Sequence, residues 1–546
     1  MRNPDLLTPF VLPTWLTPDQ LAGMQRGIEK ESLRMQANGF LAQTDHPKAL
    51  GSALTHPHIT TDYSEALIEL ITPPFDHPKQ ALDFLRQLHV VVQQNLPEGE
   101  TLWPLSMPCM LDRDENNIPL AQYGNSNLGK FKTLYRRGLG VRYGRRMQTI
   151  AGLHYNISFP DSLFAAWQQH DATVDLKQES QQQPQQQSAQ DYRSERYFGL
   201  IRNFLRLSPL VVYLLGASPS VCACFLSGRE HHLQPLVSGT MYLPDATALR
   251  MGRLGYQNSA QRQLGIHYNN MQDYIQGIEK AIRTPYQPFS ELGLDDAQGE
   301  PLQINDHVLQ IENEYYSPIR PKQIPKSGET PAQALKQRGV AYIELRAVDI
   351  NPYSDIGIDL ETACFLEIVA LYALLQDSPA IDEDEQSRID RNLASVVDRG
   401  RQAGLSLETS TGEQLFDPWA AHHLQQMQTL AQLLDQADGA QLYQNALALM
   451  QTRLADTSLT LSAQVLKDTV EAGGSWRFGH ALASRYANQQ REQTLSPEQQ
   501  DYFGQVAQQS WQAQQQLEQQ PADFSSYLAP YRHPDAVLAP DSEEHA

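Results

Sequence analysis

The chain has 546 residues, 41% of them hydrophobic and 19% charged, a balance that excludes intrinsic disorder and suits a soluble, enzyme-sized protein with more than one structural part. Its 63 acidic residues against 42 basic ones give a net charge of -21; without a basic stripe, that charge repels a phosphate backbone and argues against nucleic-acid binding. Cys109, Cys222, Cys224 and Cys364 offer no paired C-x-x-C spacing, which excludes a zinc ribbon or disulfide framework and leaves buried thiols in a reducing, cytoplasmic setting.

The opening, MRNPDLLTPFVLPTWL, lacks a basic start followed by a clean apolar run, so no signal peptide is expected. In GIEKESLRM, Glu29 and Glu31 alternate with Ile28 and Lys30, and in SEALIELITP, Glu65 and Glu69 alternate with Ala66 and Ile68, just after Asp62. This two-residue period predicts half-buried strands, each with its carboxylates on one face. His56 and His58 flank Pro57, and the pairs His231/His232 and His422/His423 are adjacent; surface or turn positions suit them better than metal sites. Gly124 to Lys130, GNSNLGK, imitates the start of a phosphate-binding loop, but Phe131 stands where a hydroxyl must hold magnesium.

His154 and Asn156 alternate with Tyr155 and Ile157 in GLHYNISF. Residues Lys177 to Gln190 read KQESQQQPQQQSAQ and predict a flexible surface insertion. The apolar run from Leu207 to Leu226 contains Pro209, Gly216 and Pro219, and reads as buried core, not a membrane span. Arg320 and Lys322 in SPIRPK are basic enough to meet phosphates, although a solvated surface fits them equally. Glu344 and Arg346 alternate with Ile343 and Leu345 in AYIELRAV. From Asp359 the period changes. LETACFLEIVALYALLQ and HHLQQMQTLAQLLDQ predict amphipathic helices, and the Gln-rich stretch from Ala487 to Gln520 still permits helices. The organisation expected is a catalytic α+β part over 1–358 and a mostly helical part over 359–546 packed on it, with a tail that can be disordered.

Four strand faces rich in carboxylates and poor in cations are unusual for a solvent face. If they converge, they repel one another unless a divalent cation sits among them, and oxygen ligands with one imidazole suit magnesium or manganese. Arg346 then supplies a fixed guanidinium for a phosphoryl group in transfer.

The blocks LGSALTHPHITTDYSEALIELITP, PLSMPC, LAQYGNSNLGKFKTLYRRGL, MQTIAGLHYNISFP, LLGASPS, LQIENEYYSPIRPK and YIELRAVDINPYSDIGID together resemble the glutamate–cysteine ligase (γ-glutamylcysteine synthetase) family of gammaproteobacteria, in order, from about Gln25 to Asp359. The resemblance implies an α+β fold like that of glutamine synthetase, with a curved, mainly antiparallel sheet forming an active-site funnel. It implies ATP-dependent ligation of the L-glutamate γ-carboxylate to the amine of L-cysteine through γ-glutamyl phosphate, the first step of glutathione synthesis, with Mg2+ as the metal. By resemblance, Glu29, Glu31, Asp62, Glu69, His154 and Glu344 hold or surround the metal, and Arg346 contacts the transferred phosphoryl. Asp62 and Glu65 are the weakest candidates for that shell. Tyr135, Gln148, Arg250, Tyr256 and Tyr316 match the cysteine pocket. Feedback inhibition by glutathione is implied, and a monomer is expected. A related ligase with another amine acceptor, a metal-dependent phosphohydrolase and an acidic scaffold protein stay open as alternatives.

Overall fold

The structure is a computed structural model, which describes residues 10–108, 110–177, 187–252, 265–326, 328–520 and 523–532. Its strands in chain order are β1 (Gln25–Met35), β2 (Ile59–Thr61), β3 (Leu67–Ile71), β4 (Thr101–Leu102), β5 (Leu153–Ser158), β6 (Ser220–Cys222), β7 (Gln234–Pro235), β8 (Thr240–Tyr242), β9 (Ile319–Lys322), β10 (Tyr342–Val348), β11 (Ser406–Thr409) and β12 (Gly412–Leu415). Seven form the main sheet, in the order β2-β3-β1-β5-β10-β9 with β4 on the end of β1. Every pairing in it is antiparallel. β6 to β8 make a small second sheet and β11–β12 a hairpin.

Alternation gives the main sheet two unlike faces. Ile28, Ile68, Leu70, Tyr155, Ile157, Ile343 and Leu345 are all buried on one of them, against helices Pro78–Asn95, Ala189–Leu215 and Leu360–Leu375. Burying each such side chain is worth about 1.5–3 kcal/mol, so this face fixes the register, since a one-residue slip would turn it into water. The opposite face carries the polar residues picked out by their spacing. The fold class is α+β, as expected.

Helix starts follow local chemistry. Ser126 accepts from the Gly129 N–H to cap Asn127–Tyr143, Ser188 accepts from Asp191 to cap Ala189–Leu215, and Asp359 accepts from Thr362 to cap Leu360–Leu375. The phosphate-loop look-alike is therefore a capped helix start. Ala189–Leu215 is long and apolar enough to cross a membrane, but 94% of its apolar window is buried inside the protein, which agrees with the reading of Leu207 onward as core. Pro209 lies within that helix, which stops at Gly216.

Several expectations need correction. Leu360–Leu375 is not amphipathic: residues 362 to 374 are all buried, because the helix is enclosed on every side. The histidine-led stretch forms two helices, Phe416–Gln426 and Gln428–Asp438, with a break at Met427. Of the Gln-rich insertion, 178–186 lies outside the described residues, and its end is ordered, with Ser188 serving as a helix cap. Cys364 is buried, Cys222 and Cys224 are half-buried, and Cys109 lies outside the described residues. His56 and His58 do occupy a turn, but they are buried: His56 Nδ1 accepts from the N–H of His58 and Ile59, and His58 Nε2 meets the Tyr502 hydroxyl at 2.9 Å. The second Gln-rich stretch is helical, within Ser475–Glu492 and Pro497–Glu518, and it reaches back to the first hundred residues, where the Ser52 N–H donates to Ser510 Oγ at 2.9 Å.

Candidate active site

Register assembles the site. β1 pairs Glu31 with Glu69 on β3 and Glu29 with His154 on β5; β10 sets Glu344 against Asn156 on β5 and against Arg320 on β9. Side chains from five strands thus share one face. They line a cavity of about 410 Å³ together with Asp62, Tyr135, Gln148, Gly152, Arg250, Tyr316, Lys322 and Arg346. Every site candidate in the described residues except Glu65 lines this one cavity; Tyr256 lies outside them.

Glu29, Glu69 and His154 each present a donor atom within 4.8 Å of the other two. His154 Nδ1 lies 3.1 Å from Glu29 Oε2 and 3.4 Å from Glu344 Oε1, and Asn156 Nδ2 donates to Glu29 Oε1 at 2.9 Å. Glu31 Oε2 accepts the N–H of Gly152 at 2.6 Å. The carboxylates split by environment. Burial, then the negative charges of Glu29, Asp62 and Glu31, push the Glu69 carboxyl well above its ordinary range, and burial with Asp62 pushes Glu31 up. Burial also opposes ionisation of Glu29 and Glu344, yet a hydrogen bond from His154 keeps the first low, and Lys322 and Arg346 hold the second well below the usual carboxylate range.

Arg346 follows Glu344 on β10, where the pairing with β5 is irregular between Leu345 and Val348; such a bulge re-aims side chains. Its Nη1 donates to Glu344 Oε1 at 3.1 Å, while its buried Nε has no hydrogen-bond partner among the described residues. Lys322 Nζ stands 3.5 Å from Glu344 Oε2. Opposite the strands, the Asn127–Tyr143 helix brings Lys132, Tyr135, Arg136 and Leu139 to the cavity wall. Burial and the neighbouring Arg136 pull the Lys132 ammonium down to about 8.

A profile of the glutamate–cysteine ligase family matches residues 14–396. The chain belongs to the glutamate–cysteine ligase family. It is 46% identical over 526 residues to the glutamate–cysteine ligase of Alcanivorax borkumensis, covering 94% of this chain and 96% of the relative. With that of Pseudomonas aeruginosa it shares 44% identity over 508 residues, 93% of each. The crystal structure of the Francisella tularensis glutamate–cysteine ligase in complex with AMP is similar at a TM-score of 0.85 and 33% identity, covering 94% of this chain and 98% of that one. This ligase uses ATP to join glutamate to cysteine, in glutathione synthesis.

Sequence reasoning missed part of the ligase's cavity. Lys132 and Arg136 are four apart on one helix and so share a face, a signal that was present beside Tyr135. Arg320 and Lys322, which the sequence left between phosphate contact and solvated surface, alternate on β9 and both line the cavity, partly exposed. Glu314 lines it as well; it accepts from Arg142 at 3.1 Å and from the Tyr143 hydroxyl at 2.6 Å, and no periodicity marks it. One expectation fails. Glu65 does not share a face with Glu69, because β3 begins only at Leu67 and Glu65 sits in the preceding turn, where its carboxylate accepts the N–H of His46 and Gln122.

Proposed function

We propose that the three-residue cluster Glu29, Glu69 and His154, with Glu31, Asp62 and Glu344 around it, holds magnesium, for which manganese can substitute, and that Arg346 binds the phosphoryl group moving from ATP to the glutamate γ-carboxylate. The donor set fits a hard divalent cation: carboxylate oxygens with one imidazole, crowded enough that Glu69 is driven toward its neutral form when no cation shares the site. When bound, magnesium neutralises phosphate oxygens. The observation that carries this reading is the gathering of that cluster and the Arg346 guanidinium in one cavity.

The chain's own residues then act as follows. Arg346, anchored by Glu344, lines the cavity where the phosphoryl oxygens would sit, and a fixed cation there is stronger in transfer than in the ground state. Arg320 and Lys322 on β9 add charge for the polyphosphate. The γ-carboxylate of glutamate attacks the γ-phosphorus, giving γ-glutamyl phosphate and ADP, and the cysteine amine displaces phosphate. Gln148, Tyr135, Arg250 and Tyr316 form the acceptor pocket; Gln148 Nε2 is buried without a partner among the described residues, a donor that suits a ligand acceptor atom. Glutathione contains the product's unit and would compete for the same pocket. The enzyme works in the cytoplasm, as a monomer.

ADP release from ATP and magnesium is measured with glutamate alone, cysteine alone and both, followed by mass analysis of the product. Turnover that requires both and yields γ-glutamylcysteine supports the reading; release independent of either amino acid sinks it.

A further inference from the structure

Asp349, the residue after AYIELRAV, is a buried carboxylate outside the cavity. Asp349 is 3% exposed. Its Oδ2 accepts the Ala217 N–H at 2.8 Å and the Ser218 hydroxyl at 2.6 Å, and its Oδ1 has no hydrogen bond but lies 3.6 Å from Arg250 Nη1. The same carboxylate therefore ties two stretches of chain together, since the Ser218 carbonyl also accepts the Leu249 N–H at 2.8 Å. The Arg250 guanidinium is held from three further sides, and its Nη1 donates to the Met251 Sδ at 3.0 Å. Its Nη2 donates to the Arg346 carbonyl at 3.0 Å, and it lies flat on Gly152, where a Cβ would come within 2.2 Å of Nη2 and 3.0 Å of Cζ.

We propose that Asp349 is a positioning residue: from behind the cavity it fixes the Arg250 guanidinium, with Gly152 as the platform, so that Arg250 reads the α-carboxylate of the acceptor amino acid. This rests on the acceptor pocket proposed above. Arginine selects a carboxylate only when its fork is correctly aimed, and a lone Arg250 on a flexible stem would meet acceptors with and without a carboxylate almost alike. The Arg346 carbonyl contact places this clamp one residue's length from the guanidinium proposed for phosphoryl transfer. Gly152 serves both halves of the site, since its N–H holds Glu31.

The test compares cysteine with cysteamine, which lacks the carboxylate, in steady-state kinetics of wild type, Asp349→Asn and Gly152→Ala. Asparagine retains an oxygen for Ala217 and Ser218 but turns an N–H toward Arg250, so the fold keeps its hydrogen bonds while the clamp is lost. The expected result is that the wild-type preference for cysteine over cysteamine in kcat/KM falls about tenfold or more in Asp349→Asn, through KM for cysteine, with kcat at saturating cysteine within about threefold. Equal losses with both acceptors, or an intact preference, overturn the inference. No preference in the wild type overturns the carboxylate-reading role of Arg250 itself. Should Asp349→Asn fail to fold, Gly152→Ala decides, because its methyl group displaces the same guanidinium from the other side.

Discussion

The two faces of β1 and β5 carry a buried and a half-buried carboxylate centre that are opposite in design. On the apolar side, Glu367 is 0% exposed and fully answered: Arg26 donates to both its oxygens at 2.9 and 2.6 Å, and the hydroxyls of Tyr155 and Tyr443 donate at 2.7 and 2.8 Å. On the cavity side, Glu29, Glu31, Asp62 and Glu69 face one another with one imidazole among them, while Lys322 and Arg346 pair with Glu344 and Lys132 and Arg136 stand on the facing helix wall. Strands β1 and β5 supply alternate residues to both centres, Arg26 and Tyr155 to the first and Glu29, Glu31 and His154 to the second, while Glu367 comes from the helix Leu360–Leu375 and Tyr443 from the helix Leu442–Ala455. A buried carboxylate whose acceptors are all filled holds strands together, whereas a group of them left short of positive charge awaits a ligand.

Breaking the balanced centre costs most. Glu367→Leu leaves Arg26 charged and unpaired in the core, and urea unfolding should show a loss of about 3–5 kcal/mol; an unchanged midpoint would mean the network contributes nothing.

Lys30 sharpens the contrast, because it points to the apolar side between Glu29 and Glu31, and burial pulls its ammonium from the ordinary 10.5 down to about 7. Between those values the unfolded chain binds more protons than the native one, so stability rises with pH across that window, by up to about 1.4 kcal/mol per pH unit. Unfolding free energies measured at pH 7 to 10 should show this slope, and Lys30→Met should flatten it.

On the cavity side the effects move to chemistry. Arg346→Lys replaces a fork by a point charge and should cut turnover about 100-fold, on the scale of losing one transition-state donor, while the thermal midpoint stays within about 2 °C. Near-normal turnover removes Arg346 from phosphoryl transfer. Glu29→Gln, the mildest change, should raise the magnesium concentration for half-maximal rate about tenfold; an unchanged requirement takes Glu29 out of the metal shell.

Most of the cavity face was legible because strand alternation is a local rule: wherever carboxylates recur every second residue, they share a side. Glu65 escaped that rule because a turn from Ser64 to Leu67, closed by the Leu67 N–H to the Ser64 carbonyl at 2.8 Å, resets the face before β3 begins. The helical cations Lys132 and Arg136 were legible in spacing but not in direction, since a helix face says nothing of which cavity it meets. Asp349 and Glu314 were not legible at all, for Ala217 and Ser218, which hold the first, and Arg142 and Tyr143, which hold the second, lie more than a hundred residues away.

The amino-acid sequence by itself determined which residues can share a strand face, where helices start, that the apolar run near Leu207 is core, and, through its ordered blocks, the family. Tertiary structure decided which faces meet. Only register puts Glu31 beside Glu69 and Glu29 beside His154, because hydrogen-bonded pairing between strands distant in sequence is set by burial of the opposite, apolar face. Only packing decides that Glu367 is matched by Arg26, and that Arg250 lies pressed between Asp349 and Gly152.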